Sequence, residues 1–409
     1  MPDSIYFSIL VSYEVNPQMI KRFSVLYVGQ IDFEDVGAEA TPADDRCYSN
    51  DVLIQPYYHA EELARHMDDL GFYCLWAAEH HFQREGYEVF PNLTLLGVHL
   101  AGITDNLKFG AGFNVVPMWH PIRLAEDFAM GDVMTRGRLI FGVGRGYQSR
   151  EVETLGAPLI DQDANRAVFE ENMEIILKAF NEESFSHKGL KHTIPADVPY
   201  RGYQMSDVTL VPRPVNLPVE IWQPITSGRS IEFMAKHGIK GMVALTGEIM
   251  ADEMINNYHK AKVEIGENVS VGEDIAFGVG FYIADTKEEA IDKVRPYHDE
   301  RYKWFAPFGY VRYTDEEGRP WGTPGAPART PRVEDGVDQK AWFCGSPDDF
   351  ISYLQALETK YPGLEDVVFQ WPEGMPWLEF KDQLSIFAKE VMPAFSGASS
   401  GTVGPPADD

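Results

Sequence analysis

Cysteine is nearly absent from this chain of 409 residues: Cys47, Cys74 and Cys344 are the whole stock. The number is odd, the spacing is wide and no CxxC occurs, so neither a disulfide framework nor a zinc ribbon is supported. Positive charge is scarce too. Thirty-five Lys and Arg stand against 63 Asp and Glu, a formal net charge of −28. Phosphate contacts need Lys and Arg, so a polyanionic surface argues against nucleic acid and against anionic membranes as partners. No apolar stretch approaches the length of a membrane span. The opening Met1-Pro-Asp-Ser4 lacks the basic segment of a signal peptide. These absences lead to the expectation of a cytoplasmic protein.

Several catalytic signatures are also missing. There is no HxH or HExxH, so no metal is expected. There is no GxSxG, which leaves a Ser-His-Asp hydrolase unsupported. No compact pair of carboxylates marks a glycosidase, and no metal cluster or Schiff-base lysine marks another barrel hydrolase or aldolase.

What is present is ordinary globular material, 44% hydrophobic and 24% charged. Two β-like runs open the chain, at 5–13 and 22–29. Residues 31–58 read as irregular and acidic. A helix follows from His59, with Ala60, Leu63, Ala64, Met67 and Leu70 on one face and Gly71 as its stop. Strand and helix then alternate. Strands are predicted at 72–78, 108–116, 139–143, 219–222, 241–245, 275–283 and 366–370. Helices are predicted at 92–103, 121–134, 165–180, 230–237, 248–265, 286–296 and 378–392. About eight β-then-α units exceed the five or six of a doubly wound sheet. The pattern therefore predicts a single α/β domain over 1–395, an eight-stranded parallel TIM (β/α) barrel with long insertions at its C-terminal mouth. The insertions are 31–58, 184–218 and 300–346. The last is rich in aromatics and reads as a lid or substrate wall, with a surface excursion or dimer contact as the alternative. Residues 396–409 read as a flexible tail.

Three runs carry chemistry. Glu79-His80-His81 follows an apolar strand, and catalytic groups collect at the carboxyl ends of such strands. Neighbouring side chains on a strand point to opposite faces, so the two imidazoles do not share one metal. A single His80 facing the mouth is a proton-transfer or hydrogen-bonding group, and a structural pair at a strand end is the plainer reading. Gly142-Val-Gly-Arg-Gly-Tyr147 combines flexible backbone with the guanidinium fork of Arg145. Tyr147 stands where a third Rossmann glycine would belong, so the dinucleotide pattern is not met, and a tight strand-to-loop turn is the plainer reading. Thr226-Ser-Gly-Arg-Ser230 opens a helix with hydroxyls and free amides, which suits an anion, a Ser or Thr N-cap with no ligand being the commoner case.

In this order the runs resemble the bacterial-luciferase-like flavin monooxygenase superfamily, on the side of the luciferase α subunit. The resemblance covers roughly residues 60–250. Trp76-Ala-Ala-Glu-His-His-Phe82 is similar to its Trp…Glu-His-His-Phe. Val116-Pro-Met-Trp-His-Pro-Ile-Arg-Leu-Ala-Glu-Asp127 and Gly137-Arg-Leu-Ile-Phe-Gly-Val-Gly-Arg-Gly146 are similar to two further runs. Asn165-Arg166 and Phe180-Asn181 fall where the pattern puts them.

The resemblance implies a TIM barrel that binds reduced FMN supplied by a separate flavin reductase. It would use dioxygen to add one oxygen atom to a small organic substrate, an aldehyde or ketone being one class, and would work as a dimer. It carries His80 over as the catalytic imidazole, with Glu79 and His81 in support. Arg145, Thr226, Ser227, Gly228 and Ser230 would hold the phosphate. Gly144 would lie near the flavin ring, Tyr147 would border it, and Gly112, Phe113 and Asn114 would span a non-prolyl cis peptide against it. The family carries Glu where this chain has Thr226. Two other readings stay open: a deazaflavin-dependent oxidoreductase of the same superfamily, and a flavin-binding relative without catalysis.

Overall fold

The structure, a computed structural model, describes residues 20–226, 228–324, 326 and 329–395. The expected strand at 5–13, the tail at 396–409 and Ser227 lie outside the described residues.

Eight parallel strands close into a barrel: β1 (Arg22–Tyr27), β2 (Cys74–Ala77), β3 (Lys108–Ala111), β4 (Leu139–Gly144), β5 (Ile221–Pro224), β6 (Lys240–Ala244), β7 (Ile275–Ile283) and β8 (Asp366–Gln370). Each pairs with the next, and β8 returns to β1 with Arg22 opposite Asp366 and Leu26 opposite Gln370. Residues along these strands alternate between two layers. Cys74, Trp76, Ile140, Trp222, Met242, Ala276 and Val368 form the packed barrel interior. Their neighbours Leu75, Phe141, Ile221, Val243, Phe277 and Val367 face outward into the larger core under the helices. Trp76 passes over Gly110, where a Cβ would come within 2.2 Å of its ring. A bare backbone on β3 is what admits the indole.

The main outer helices are α1 (Gln55–Leu70), α2 (Leu93–Ala101), α3 (Pro121–Met134), α4 (Gln162–Asn181), α5 (Gly228–Lys236), α6 (Glu248–Glu264), α7 (Lys287–Phe305) and α8 (Trp377–Ile386). Local chemistry sets several ends. Gly71 closes α1 at φ +79°, a left-handed turn that suits glycine. Asn92 accepts from the Leu95 N–H at the start of α2, and Pro121 stands in the first turn of α3.

The structure departs from the sequence reading in several places. Helix begins four residues before His59, because Pro56 stands in the first turn of α1, where a missing N–H costs nothing. Helix α7 does not stop at Pro296 but runs through it to Phe305. Burial of Tyr302, Trp304 and Phe305 beyond the proline offsets the lost backbone bond. The strand expected at 108–116 is interrupted at a cis Gly112–Phe113 peptide and resumes at Asn114–Val115. The 184–218 insertion contains two short hairpins. The 300–346 insertion holds the end of α7, a helix at Val333–Asp338 and a strand at Trp342–Gly345 that pairs with the second half of β7. A further helix follows at Pro347–Lys360. Among the described residues no helix is long and apolar enough to cross a membrane.

Candidate active site

A cavity of about 440 Å³ opens at the carboxyl ends of the barrel strands. Strand β2 delivers Glu79 and His80 to it, β4 delivers Gly144, Arg145 and Tyr147, and β5 delivers Thr226. Gly112 and Phe113 follow β3, and the 300–346 segment covers the opening with Phe305, Phe308, Tyr310 and Arg312. A larger open groove of about 880 Å³ runs along the 184–218 hairpins beside Glu171 and His187. It lies away from the strand ends, and the barrel mouth is where (β/α)-barrel chemistry is done.

His80 is 5% exposed and sits between two buried acids. Its Nδ1 lies 3.1 Å from a Glu151 carboxylate oxygen and its Nε2 lies 3.1 Å from one of Glu88. Burial alone would lower the imidazole pKa. The carboxylates of Glu88 and Glu151 outweigh it and push the pKa up to about 10. At neutral pH His80 is therefore an imidazolium that donates on both sides. Glu88 also accepts from Tyr147 Oη (2.9 Å), Gln148 Nε2 (2.7 Å) and Trp304 Nε1 (3.0 Å). Burial raises its pKa, but the His80 cation and those donors hold it below the ordinary carboxylate value. Tyr147 packs edge-on against His80, Phe308 and Tyr310. Burial, then the Glu88 charge, drive its phenol pKa well up, so it remains a donor.

Glu79 holds the wall together. One carboxylate oxygen accepts the Val115 N–H at 2.6 Å. The other accepts from Trp119 Nε1 at 2.9 Å and faces His81 Nε2 at 3.1 Å. The His81 backbone N–H donates to Glu151 at 2.8 Å. These bonds tie the end of β2 to the segment after the cis peptide.

At the other side stands Arg145. Its guanidinium donates to Asn165 Oδ1 at 3.1 Å, and Asn165 Nδ2 donates to the Arg145 carbonyl at 3.2 Å and that of Pro158 at 2.7 Å. One asparagine on α4 thus fixes both backbone and side chain. Among the described residues Arg145 has no carboxylate partner, and its pKa is lowered by burial and then by nearby Arg166. Thr226 Oγ1 lies 3.4 Å from Ser230 Oγ across the start of α5. Such a cluster of unpaired cation, hydroxyls and helix amides suits an oxyanion.

The luciferase-like monooxygenase family profile matches residues 33–361. The chain belongs to that family. It is a flavin-dependent monooxygenase. The oxygenase component of a flavin-dependent trigonelline monooxygenase from Acinetobacter baylyi is 26% identical over 366 residues, 86% of this chain and 93% of its own. An uncharacterised protein of Sinorhizobium fredii is 36% identical over 128 residues, and the match spans only 35% of its length. Two solved structures share the fold. The oxygenating constituent of 3,6-diketocamphane monooxygenase from Pseudomonas putida, in complex with FMN, superposes with TM-score 0.68 at 21% identity, covering 91% of this chain and 98% of its own. An F420-dependent secondary alcohol dehydrogenase does so with TM-score 0.61 at 13% identity, covering 92% and 99%.

Of the residues singled out in the sequence of this monooxygenase, Glu79, His80, Gly112 and Phe113 border the cavity, as do Gly144, Arg145, Tyr147 and Thr226. Four do not. His81 points to Glu79, Asn114 Nδ2 donates to the Gly142 carbonyl at 2.9 Å, and Gly228 and Ser230 lie on α5 behind Thr226. Sequence reasoning missed Glu88, Glu151, Arg301 and Arg312. The two acids carry no local signal in a chain with 63 of them. Arg301 and Arg312 stand out only as cations inside an aromatic stretch.

Proposed function

We propose that this chain is the oxygenase of a two-component system that takes reduced FMN from a separate flavin reductase. On this reading it works as a dimer on an aldehyde or ketone. The observation that carries the reading is the presence, in one cavity, of Arg145 without a carboxylate partner, the Thr226 hydroxyl and the His80 imidazolium. A relative described as an oxygenase component supports the two-component arrangement.

The residues present fit FMN. The cavity volume falls within the range of roughly 300–1,000 Å³ typical of cofactor sites. Arg145 offers an uncompensated fork to a phosphate, with Thr226 and the amides of α5 beside it. At Gly144 a Cβ would crowd Phe113 at 3.3 Å, so the glycine keeps the wall flat where a ring would lie. Bound and reduced, FMN would supply the electrons that activate dioxygen.

The chain's own part is positional and electrostatic. His80 holds a proton on each ring nitrogen, and its charge offsets the Glu88 and Glu151 carboxylates, which would otherwise repel negative charge developing on a carbonyl oxygen at the cavity wall. Glu88 and Glu151 in turn keep the imidazolium in place. Phe305, Phe308 and Tyr310 exclude water from the chamber. Glu79 and His81 position the wall. Turnover under ¹⁸O₂ with NADH, FMN, a flavin reductase and a panel of aldehydes and ketones tests the proposal. The expected product carries a single ¹⁸O atom. Substrate reduction by the reduced deazaflavin coenzyme, with no oxygen consumed, would overturn it.

A further inference from the structure

One guanidinium in the cavity stands without a polar partner among the described residues. Arg312 borders the chamber, and its side chain makes no hydrogen bond and no ion pair among the described residues. Its guanidinium lies over the Tyr310 ring, 5.2 Å from the centroid. Its backbone is fixed, since the Arg312 carbonyl accepts the Gly247 N–H at 2.8 Å.

The acids of the cavity, and Arg301, are engaged. Glu88 takes His80, Tyr147, Gln148 and Trp304. Glu79 takes Val115, Trp119 and His81. Arg301, which borders the same end, is bound by Glu373 at 2.6 Å and lies over Phe305 at 4.3 Å. No acid is left for Arg312. Arg145 is also without an acid, but its guanidinium donates to Asn165 Oδ1 on α4 at 3.1 Å.

We propose that Arg312 recognises the substrate through an anionic group, so that the monooxygenase acts on small organic acids whose carboxylate seats on this guanidinium. The inference rests on the reading of the cavity as the substrate chamber. A partly desolvated cation gains most from an anion that enters with the ligand, and the planar fork of arginine matches a carboxylate in two hydrogen bonds. Burial, and then repulsion from Arg301, hold the Arg312 pKa below its ordinary value despite Tyr310, which is the condition an incoming anion relieves. The walls beside it are Phe305, Phe308 and Tyr310, so the body of the acid would be apolar or flat.

Equilibrium dialysis of the full chain, with and without FMN, tests this with two matched pairs: benzoate against benzamide, and hexanoate against hexanamide. The expected result is that at least one acid binds about tenfold or more tighter than its amide, that Arg312→Gln brings the pair to within about twofold, and that FMN affinity is unchanged. Arg312→Lys, which keeps the charge without the fork, should retain an intermediate preference. Equal binding of acid and amide by the wild type would overturn the proposal. So would an acid preference that survives Arg312→Gln, or a loss of FMN affinity in that variant with acid binding intact. Dialysis without FMN separates the two readings: an Arg312-dependent acid preference in a chain that takes no FMN removes the flavin reading and leaves this one standing.

Discussion

His80 has a carboxylate on each ring nitrogen, and this decides what it can do. An imidazole with its ordinary pKa would exchange protons at neutral pH. This one is held as a cation by Glu88 and Glu151 up to about pH 10. Its expected role is a fixed charge that offsets the two acids rather than a base. His80→Ala should lower turnover by about 100-fold or more with the fold intact, because the charge offsetting Glu88 and Glu151 is lost, and near wild-type turnover would remove His80 from the mechanism. The sign of the pH effect follows from the raised pKa. The ion pairing stabilises the folded chain fully below the unfolded histidine value of about 6.5, and that contribution is lost as pH rises through about 10. A nitrogen-15 NMR titration of the ring should show the imidazolium persisting through pH 8. A midpoint near 6.5 would show that the two acids do not hold it.

Strand β2 and strand β3 are matched by a single missing side chain. Trp76 fills the barrel interior because Gly110 opposite it has no Cβ. Gly110→Ala should displace the indole and cost roughly 1–3 kcal/mol of stability, read as a shift in the urea midpoint. An unchanged midpoint would mean that the interior is not close-packed there. At this scale the sequence was legible where periodicity and punctuation agree. The α3 helix is bounded by Pro121 and Met134 as its pattern predicts, and β7 and β8 end where their apolar runs end. It misled where tertiary burial overrides a local signal. Pro296 looks like a stop, yet Trp304 and Phe305 beyond it are buried and carry α7 onward. The short helix Ser149–Thr154, which presents Glu151 to His80, has only six residues and no apolar period of its own.

For the whole molecule, eight β-then-α units led to the closed barrel because the count itself excludes the usual doubly wound sheet. The Glu-His-His and Gly-Arg-Gly runs were legible as a site because both follow strands that end at one mouth. Glu88, Glu151 and Arg312 were not, because their meaning comes from contacts made only on folding: His80 to Glu151 across 71 positions, Trp304 to Glu88 across 216, and the 300–346 segment that brings Arg312 over the mouth. The central claim concerns that mouth: it holds reduced FMN with the phosphate on Arg145. Anaerobic titration of the full chain with reduced FMN, repeated on Arg145→Ala, tests it most directly. The account predicts saturable binding of one flavin per chain, weakened in the variant by roughly 1.5–3 kcal/mol. No binding, equal affinity in the two proteins, or preference for the deazaflavin coenzyme would contradict it.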